Sequence, residues 1–264
     1  MRIVRYETRS GQIGTGEQHP GGSVTELRDA TGSDQAVEVA RLLAPVTPPA
    51  IFCIGLNYRK HAEETGSPIP ERPVVFMKQP GAVQHPGGSI LLPRGLRSDR
   101  VDYECELAVV IGRPCKNVAR DEALDHVLGY TCANDVSARD WQKDFGGSQW
   151  CRGKTFDTFA PLGPAIVTRS EIPDPGALAI RTLLNGDVVQ ESNTEDMIFS
   201  VPEIVAFLSG STTLHPGTVI LTGTPSGVGM AQDPPRWLRA GDEVVVEIDG
   251  IGRLENRVEE EILG

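Results

Sequence analysis

The run YECELAVVIG, residues 103–112, sets five consecutive apolar residues, Leu107–Ile111, behind two carboxylates. Its β-branched content and its end at Gly112 predict a strong strand. Successive side chains of a strand alternate, so Glu104 and Glu106 share one face and Cys105 takes the other. Two carboxylates side by side repel, and need a cation, a shared proton or solvent. A solvated strand edge is the bland alternative, because charged side chains are mostly exposed.

Outward from this run the chain stays strand-rich. Short apolar runs at 50–56, 74–78, 89–92, 127–133, 164–168, 218–223 and 243–248 are bounded by Gly, Pro or Asp. Asn185-Gly186 and Asp249-Gly250 are hairpin-turn signals. Helices are expected at 57–65, 121–126, 137–145 and 201–209. Ser200 and Glu203 stand at capping-box spacing before the last, and Gly210 follows it. There is no β-α-β alternation, which predicts an α+β fold with a large antiparallel or mixed sheet system. The first 48 residues read differently. Arg2 to Tyr6 looks like a strand, 10–34 is rich in Gly, Ser, Thr and Asp, and 35–44 has helical spacing before Pro45, Pro48 and Pro49. This reads as a small N-terminal cap and linker, residues 1–48, before a main domain at 49–264.

The chain has 264 residues, enough to bury a core without disulfides or structural metals. Its 29 glycines and 20 prolines exceed the roughly 12% average for the two together, which fits many turns and short strands. The net charge of −11 argues against nucleic-acid or anionic-membrane partners, which need a basic surface. No apolar run reaches the roughly 20 residues of a membrane helix. The five cysteines, with no C-x-x-C pair and no apolar leader ahead of them, predict reduced thiols in a cytoplasmic protein.

Three further segments hold chemistry-bearing residues. In NDVSARDWQ, 134–142, Asp135 ends a strand and could face a site; it or Ser137 could equally cap the next helix. With Glu104 and Glu106 it would form an all-oxygen set suited to Mg²⁺ or Mn²⁺. In NYRKHAEE, 57–64, His61 and Glu64 are neighbours on a helix face, where the carboxylate can orient the imidazole; an exposed surface pair is the alternative. In RGKTFDTFAP, 152–161, Lys154 could stabilise an enolate or carboxylate, or snorkel at the surface. Lys78, in VVFMKQP, has both readings too. Gly223–Gly229 lacks the Lys-Ser/Thr of a P-loop, and no zinc or nucleophile-elbow motif occurs.

Taken in order, IGLNYRKHAEE, PVVFMKQP, DYECELAVVIG, GYTCANDVSARDWQ, RGKTFDTFAPLGP, NGDVVQ, MIFSVPEIVAFLS and VILTGTPSGVG resemble the fumarylacetoacetate hydrolase family over about 50–258. The resemblance implies a mixed β-sandwich roll, a homodimer and a bound Mg²⁺ or Mn²⁺. It implies metal-binding carboxylates at Glu104, Glu106 and Asp135, a catalytic lysine at Lys154 and a His–Glu pair at His61 and Glu64 on a lid helix. Arg139, Gln142 and Thr224 fall at its substrate-pocket positions. Lys78 and Tyr58 match family sequence without an expected catalytic role. The implied substrate is a short 2-oxo or 2,4-dioxo acid. The expected reaction is hydrolysis of an acylpyruvate or fumarylpyruvate C–C bond to pyruvate and an acid. Oxaloacetate-type decarboxylation and 2-hydroxyhepta-2,4-diene-1,7-dioate-type isomerisation are the alternatives on the same site. A non-catalytic acid-binding protein is a third, more distant one.

Overall fold

A computed structural model describes residues 1–27, 35–147 and 149–264. Its largest sheet is built around β4 (Cys105–Ile111), the strand of the opening run. The other principal strands are β1 (Arg2–Thr8), β2 (Ile51–Gly55), β3 (Val74–Lys78), β5 (Val127–Asn134), β6 (Ala160–Thr168) and β7 (Val219–Leu221). They lie in the order β1-β6-β5-β4-β7-β2-β3. Neighbours are antiparallel except β7 and β2, which run parallel, with Ile220 opposite Phe52. All seven residues of β4 are buried. One face packs Leu107, Val109 and Ile111 against Ile180, Val246, Ile248 and Leu254 of a second sheet. The other sets Ala108 and Val110 against Ile51, Leu162 and Leu221. A strand covered on both sides reads as a continuous apolar run, as Leu107–Ile111 does.

The second sheet orders Asp187–Asn193, Ala179–Leu184, Glu243–Ile248, Gly252–Glu260 and Ile90–Leu92. Both expected hairpin turns are present. Asn185 (φ 55°) and Gly186 (φ 87°) close one, with positive φ at both central residues as a type I′ turn requires. Gly250 (φ 72°) lies in the other. The α+β class with mixed sheets holds, and helices are few and short: α1 (Arg59–Glu64), α2 (Arg139–Lys143), α3 (Cys151–Lys154) and α4 (Val201–Ser209). α4 begins with the Ser200–Glu203 capping box and buries Val201, Ile204, Val205 and Leu208 in the shared core.

Three local expectations need correction. Residues 35–44 form no helix; Ala36–Val37 and Val39–Leu43 are strands, and the latter pairs with β1. The β-branched Val37 and Val39 and an open strand edge outweigh the helical spacing of Val37, Ala40 and Ala44. Helix 137–145 is shortened, because Ser137–Ala138 first pairs with Val101–Asp102. The expected helix at 121–126 is a 3₁₀ turn, Ala123–His126. At the N-terminus β1 pairs with β6, Arg2 opposite Val167, so the strands before residue 48 extend the main sheet. No helix among the described residues is long and apolar enough to cross a membrane.

Candidate active site

β4 and β5 run antiparallel, with Cys105 opposite Asn134. That register brings the start of one strand beside the end of the other, and so Glu104 and Glu106 beside Asp135. Ligand oxygens of the three carboxylates lie within 4.8 Å of one another. All three are buried, none more than 5% exposed. The backbone fixes them: Asp135 N–H donates to Glu104 O (2.9 Å), Glu104 N–H to the Asn134 side-chain oxygen (3.0 Å), and Gly223 N–H to Glu106 Oε2 (2.6 Å).

Three cations surround them. Lys154 Nζ, from the end of α3, donates to Glu104 Oε2 (2.7 Å) and Asp135 Oδ2 (2.9 Å). Lys78, from β3, approaches from the far side. Its Nζ lies 2.5 Å from Asp135 Oδ1 and donates to the carbonyls of Val136 (2.9 Å) and Lys154 (2.6 Å). Arg139, opening α2, places Nη2 2.7 Å from Glu104 Oε1 and donates from Nε to Asp102 Oδ2 (2.8 Å) and from Nη1 to Gln142 Oε1 (3.0 Å). Burial alone would raise the Glu104 carboxyl, but Lys154 and Arg139 overcome it and hold it down to about 2. Burial, with Asp135 and Glu104 alongside, pushes Glu106 well above the usual carboxylate range. With Glu106 deprotonated, as a bound cation would require, four buried carboxylates (Asp102, Glu104, Glu106, Asp135) would face three buried cations (Lys78, Arg139, Lys154), leaving one negative charge in excess. An all-oxygen donor set with that excess fits a hard divalent cation such as Mg²⁺ or Mn²⁺, which Glu104, Glu106 and Asp135 would hold.

A cavity of about 200 Å³ opens over this floor, lined by Glu104, Glu106, His61, Arg139, Gln142, Lys154 and Thr224 among others. It is smaller than the roughly 300–1,000 Å³ typical of sites for drug-sized ligands, and so suits a small acid. Its apolar wall includes Ile54, Phe76 and Trp150. The Trp150 ring meets Phe76 edge-on, with centroids 5.6 Å apart, and lies over Gly55, where a Cβ would stand 2.4 Å from the ring.

α1 supplies His61. Asn57 anchors the helix by donating to the carbonyls of Thr222 (2.7 Å) and Phe199 (3.0 Å) and accepting from Phe199 N–H (2.8 Å). His61 Nδ1 pairs with Glu64 Oε2 at 3.0 Å, which leaves Nε2 as the ring nitrogen available to the cavity. Glu64 Oε1 accepts from Gly227 N–H (2.8 Å), tying the helix to the 224–231 loop. Thr224 Oγ1 accepts from Gln190 Nε2 (2.9 Å), so its own hydrogen is free to donate.

The structure therefore gathers His61, Glu104, Glu106, Arg139, Gln142, Lys154 and Thr224 on one cavity. Asp135 and Glu64 stand directly behind it. The guanidinium of Arg139 and the ammonium of Lys154 are both engaged by protein carboxylates. Four residues outside the sequence-derived set hold the arrangement. Lys78 had a visible signal, a lysine inside an apolar strand. Asp102 shares the two-residue spacing of Glu104 and Glu106; it accepts from Arg139 and from the N–H groups of Gly229 (2.7 Å) and Met230 (3.1 Å). Asn57 and Gln190 have no distinguishing pattern.

A mixed sheet carrying buried carboxylates beneath a small cavity places the chain in a recognised class. Residues 50–259 match the fumarylacetoacetate (FAA) hydrolase C-terminal family, and the chain belongs to it. Among individual relatives, it is 51% identical over 218 residues to a mitochondrial oxaloacetate tautomerase of Xenopus laevis, covering 82% of this chain and 68% of the relative. A mitochondrial oxaloacetate tautomerase of Homo sapiens is 48% identical over 217 residues, with the same coverage. Among solved structures, the 5-carboxymethyl-2-hydroxymuconate delta-isomerase of Mycobacterium smegmatis superposes with a TM-score of 0.86 at 40% identity over the whole of both chains. A fumarylacetoacetate hydrolase of Exiguobacterium antarcticum gives 0.89 at 35% identity, over 99% of this chain and 100% of that one.

Proposed function

We propose that this chain is a divalent-cation-dependent tautomerase or isomerase of short 2-oxo acids, moving a proton between C3 and the oxygen on C2. The observation that carries the reading is an oriented base, His61 held by Glu64, on the same small cavity as the three-carboxylate floor. Relatives named for tautomerase and isomerase activity support proton transfer better than the hydrolysis expected from the sequence. A bound Mg²⁺ or Mn²⁺ would act as a Lewis acid, stabilising negative charge on the 2-oxo oxygen.

The chain's own residues do the rest. His61 Nε2 takes the C3 proton, and Glu64 stabilises the imidazolium and keeps the ring in its orientation. The Thr224 hydroxyl and the Gln142 amide donate to the substrate carboxylate; each is held by a partner that uses its accepting side. Lys154 keeps positive charge beside the developing enolate. The 200 Å³ cavity limits the substrate to a few carbons. As the resemblance implies, the enzyme acts as a homodimer. The five free cysteines suit a reducing compartment, which fits the cytoplasm expected from the sequence and equally the mitochondrial setting for which the relatives are named.

The test follows three signals with Mg²⁺ or Mn²⁺ added and removed: enol absorbance of oxaloacetate, pyruvate from oxaloacetate and pyruvate from acetylpyruvate. The expected result is metal-dependent loss of enol absorbance that outruns any pyruvate release. Pyruvate from acetylpyruvate at a higher rate would return the reading to C–C hydrolysis. Pyruvate from oxaloacetate in step with the absorbance change would make the enzyme a decarboxylase.

A further inference from the structure

The cavity carries one more charged group that the proton-transfer reading leaves unused. Lys143 ends α2 and lines the cavity, yet it is exposed, whereas the carboxylates are almost wholly buried. The cavity therefore runs from an acidic floor to a mouth that holds an ammonium group. The other two cations lining it are already committed, Lys154 to Glu104 and Asp135, Arg139 to Asp102 and Glu104. The Lys143 ammonium makes no ion pair or hydrogen bond to protein among the described residues. Its acidic neighbour in sequence, Asp144, is taken by Arg100 at 2.9 Å. Desolvation and then the nearby Arg139 guanidinium lower the ammonium's pKa, against the opposing effect of Asp144, Asp102 and Glu104.

We infer that Lys143 is a specificity-determining residue of this cavity, pairing with the distal carboxylate of a short 2-oxo diacid. The 2-oxo carboxylate end lies over the floor, the carbon spacer passes the apolar wall of Ile54, Phe76 and Trp150, and the distal carboxylate pairs with Lys143 at the mouth. The assignment rests on the 2-oxo acid reading and narrows it. Arg139 and Lys154 cannot do the same work without releasing a buried carboxylate, which is strongly unfavourable.

The experiment is equilibrium binding to the Mg²⁺-loaded protein, by calorimetry, of oxaloacetate and of 2-oxobutanoate, its counterpart with a methyl in place of the distal carboxylate. The wild-type protein should favour the diacid by about tenfold or more, the worth of a charge-assisted hydrogen bond at a partly exposed site. Lys143→Met should collapse that ratio, and Lys143→Arg should restore most of it. The wild-type ratio should also shrink as salt is raised. Equal affinity of the wild-type protein for the two acids, or a ratio untouched by Lys143→Met, overturns the assignment. Because binding is measured rather than turnover, a wild-type protein that binds the diacid selectively but moves no proton would sink the proton-transfer reading alone.

Discussion

Glu106 sits against two other carboxylates with one backbone N–H, from Gly223, as its hydrogen-bond donor. Burial and those neighbours favour its protonated form. A cation must displace that proton, so metal affinity should tighten as pH rises, and binding should release a proton visible as buffer-dependent heat. The same shift sets the sign for stability without metal. A carboxyl raised in the fold contributes stability that is present below its ordinary pKa and lost as pH climbs through the folded value. Glu106→Gln keeps the size and removes a charge; calorimetric Mg²⁺ titration should show a large loss of affinity with the fold kept, and unchanged affinity would remove Glu106 from the site. His61 plays a separable part. His61→Ala should lower kcat by roughly 10²–10⁴, the usual range for general acid–base catalysis, and leave Mg²⁺ affinity in place. Near-wild-type turnover would strip His61 of its role as base.

At the scale of elements, the site depends on how α1 and the 224–231 loop are tied together. Gly227 has φ +99°, and a Cβ there would meet the Val189 carbonyl oxygen at 2.2 Å. Gly227→Ala must therefore shift the loop and pull its N–H from Glu64, at a strain cost of about 1–3 kcal/mol for the φ alone. The expected outcome is a lower melting temperature and a fall in kcat with Mg²⁺ affinity largely intact, since no carboxylate of the floor lies on this loop. What could be read beforehand divides along the same lines. β4 was legible because an apolar run with carboxylates two apart has one geometric meaning, and α4 because its cap and stop are local. The strands at 36–43 were not, because an edge offered by β1 decides them from outside their own sequence. α3 was also unread: four residues carry too little periodicity to show, though Lys154 rides on it. Of the supporting side chains, Lys78 and Asp102 left traces in strand spacing. Gln190 and Asn57 act through contacts more than 30 residues away in sequence, which no local pattern encodes.

Across the whole molecule, burial sorts the thiols. Cys53, Cys105, Cys115 and Cys132 are buried and Cys151 is exposed. Burial pushes the four buried thiols up, Cys105 to about 12. A thiol reagent at neutral pH should therefore modify a single cysteine, Cys151, in the native protein and all of them after unfolding; rapid modification of Cys53 would show that the core under the floor opens readily. The strand order also has a consequence for how the chain is made. β4 gains β5 soon after it leaves the ribosome, but its other neighbour, β7, ends at residue 221, which is 221 − 111 = 110 residues later. At about 5–20 residues per second, that leaves an apolar strand edge open for roughly 5–20 s of translation. Nascent chains in that interval could pair edge to edge, and a charge on the open strand is what discourages it. Glu106 is the acidic residue within that strand. Glu106→Leu should therefore lower the soluble fraction of newly synthesised protein more than Glu104→Leu, whose position lies just outside the strand; equal yields would deny Glu106 this duty during synthesis.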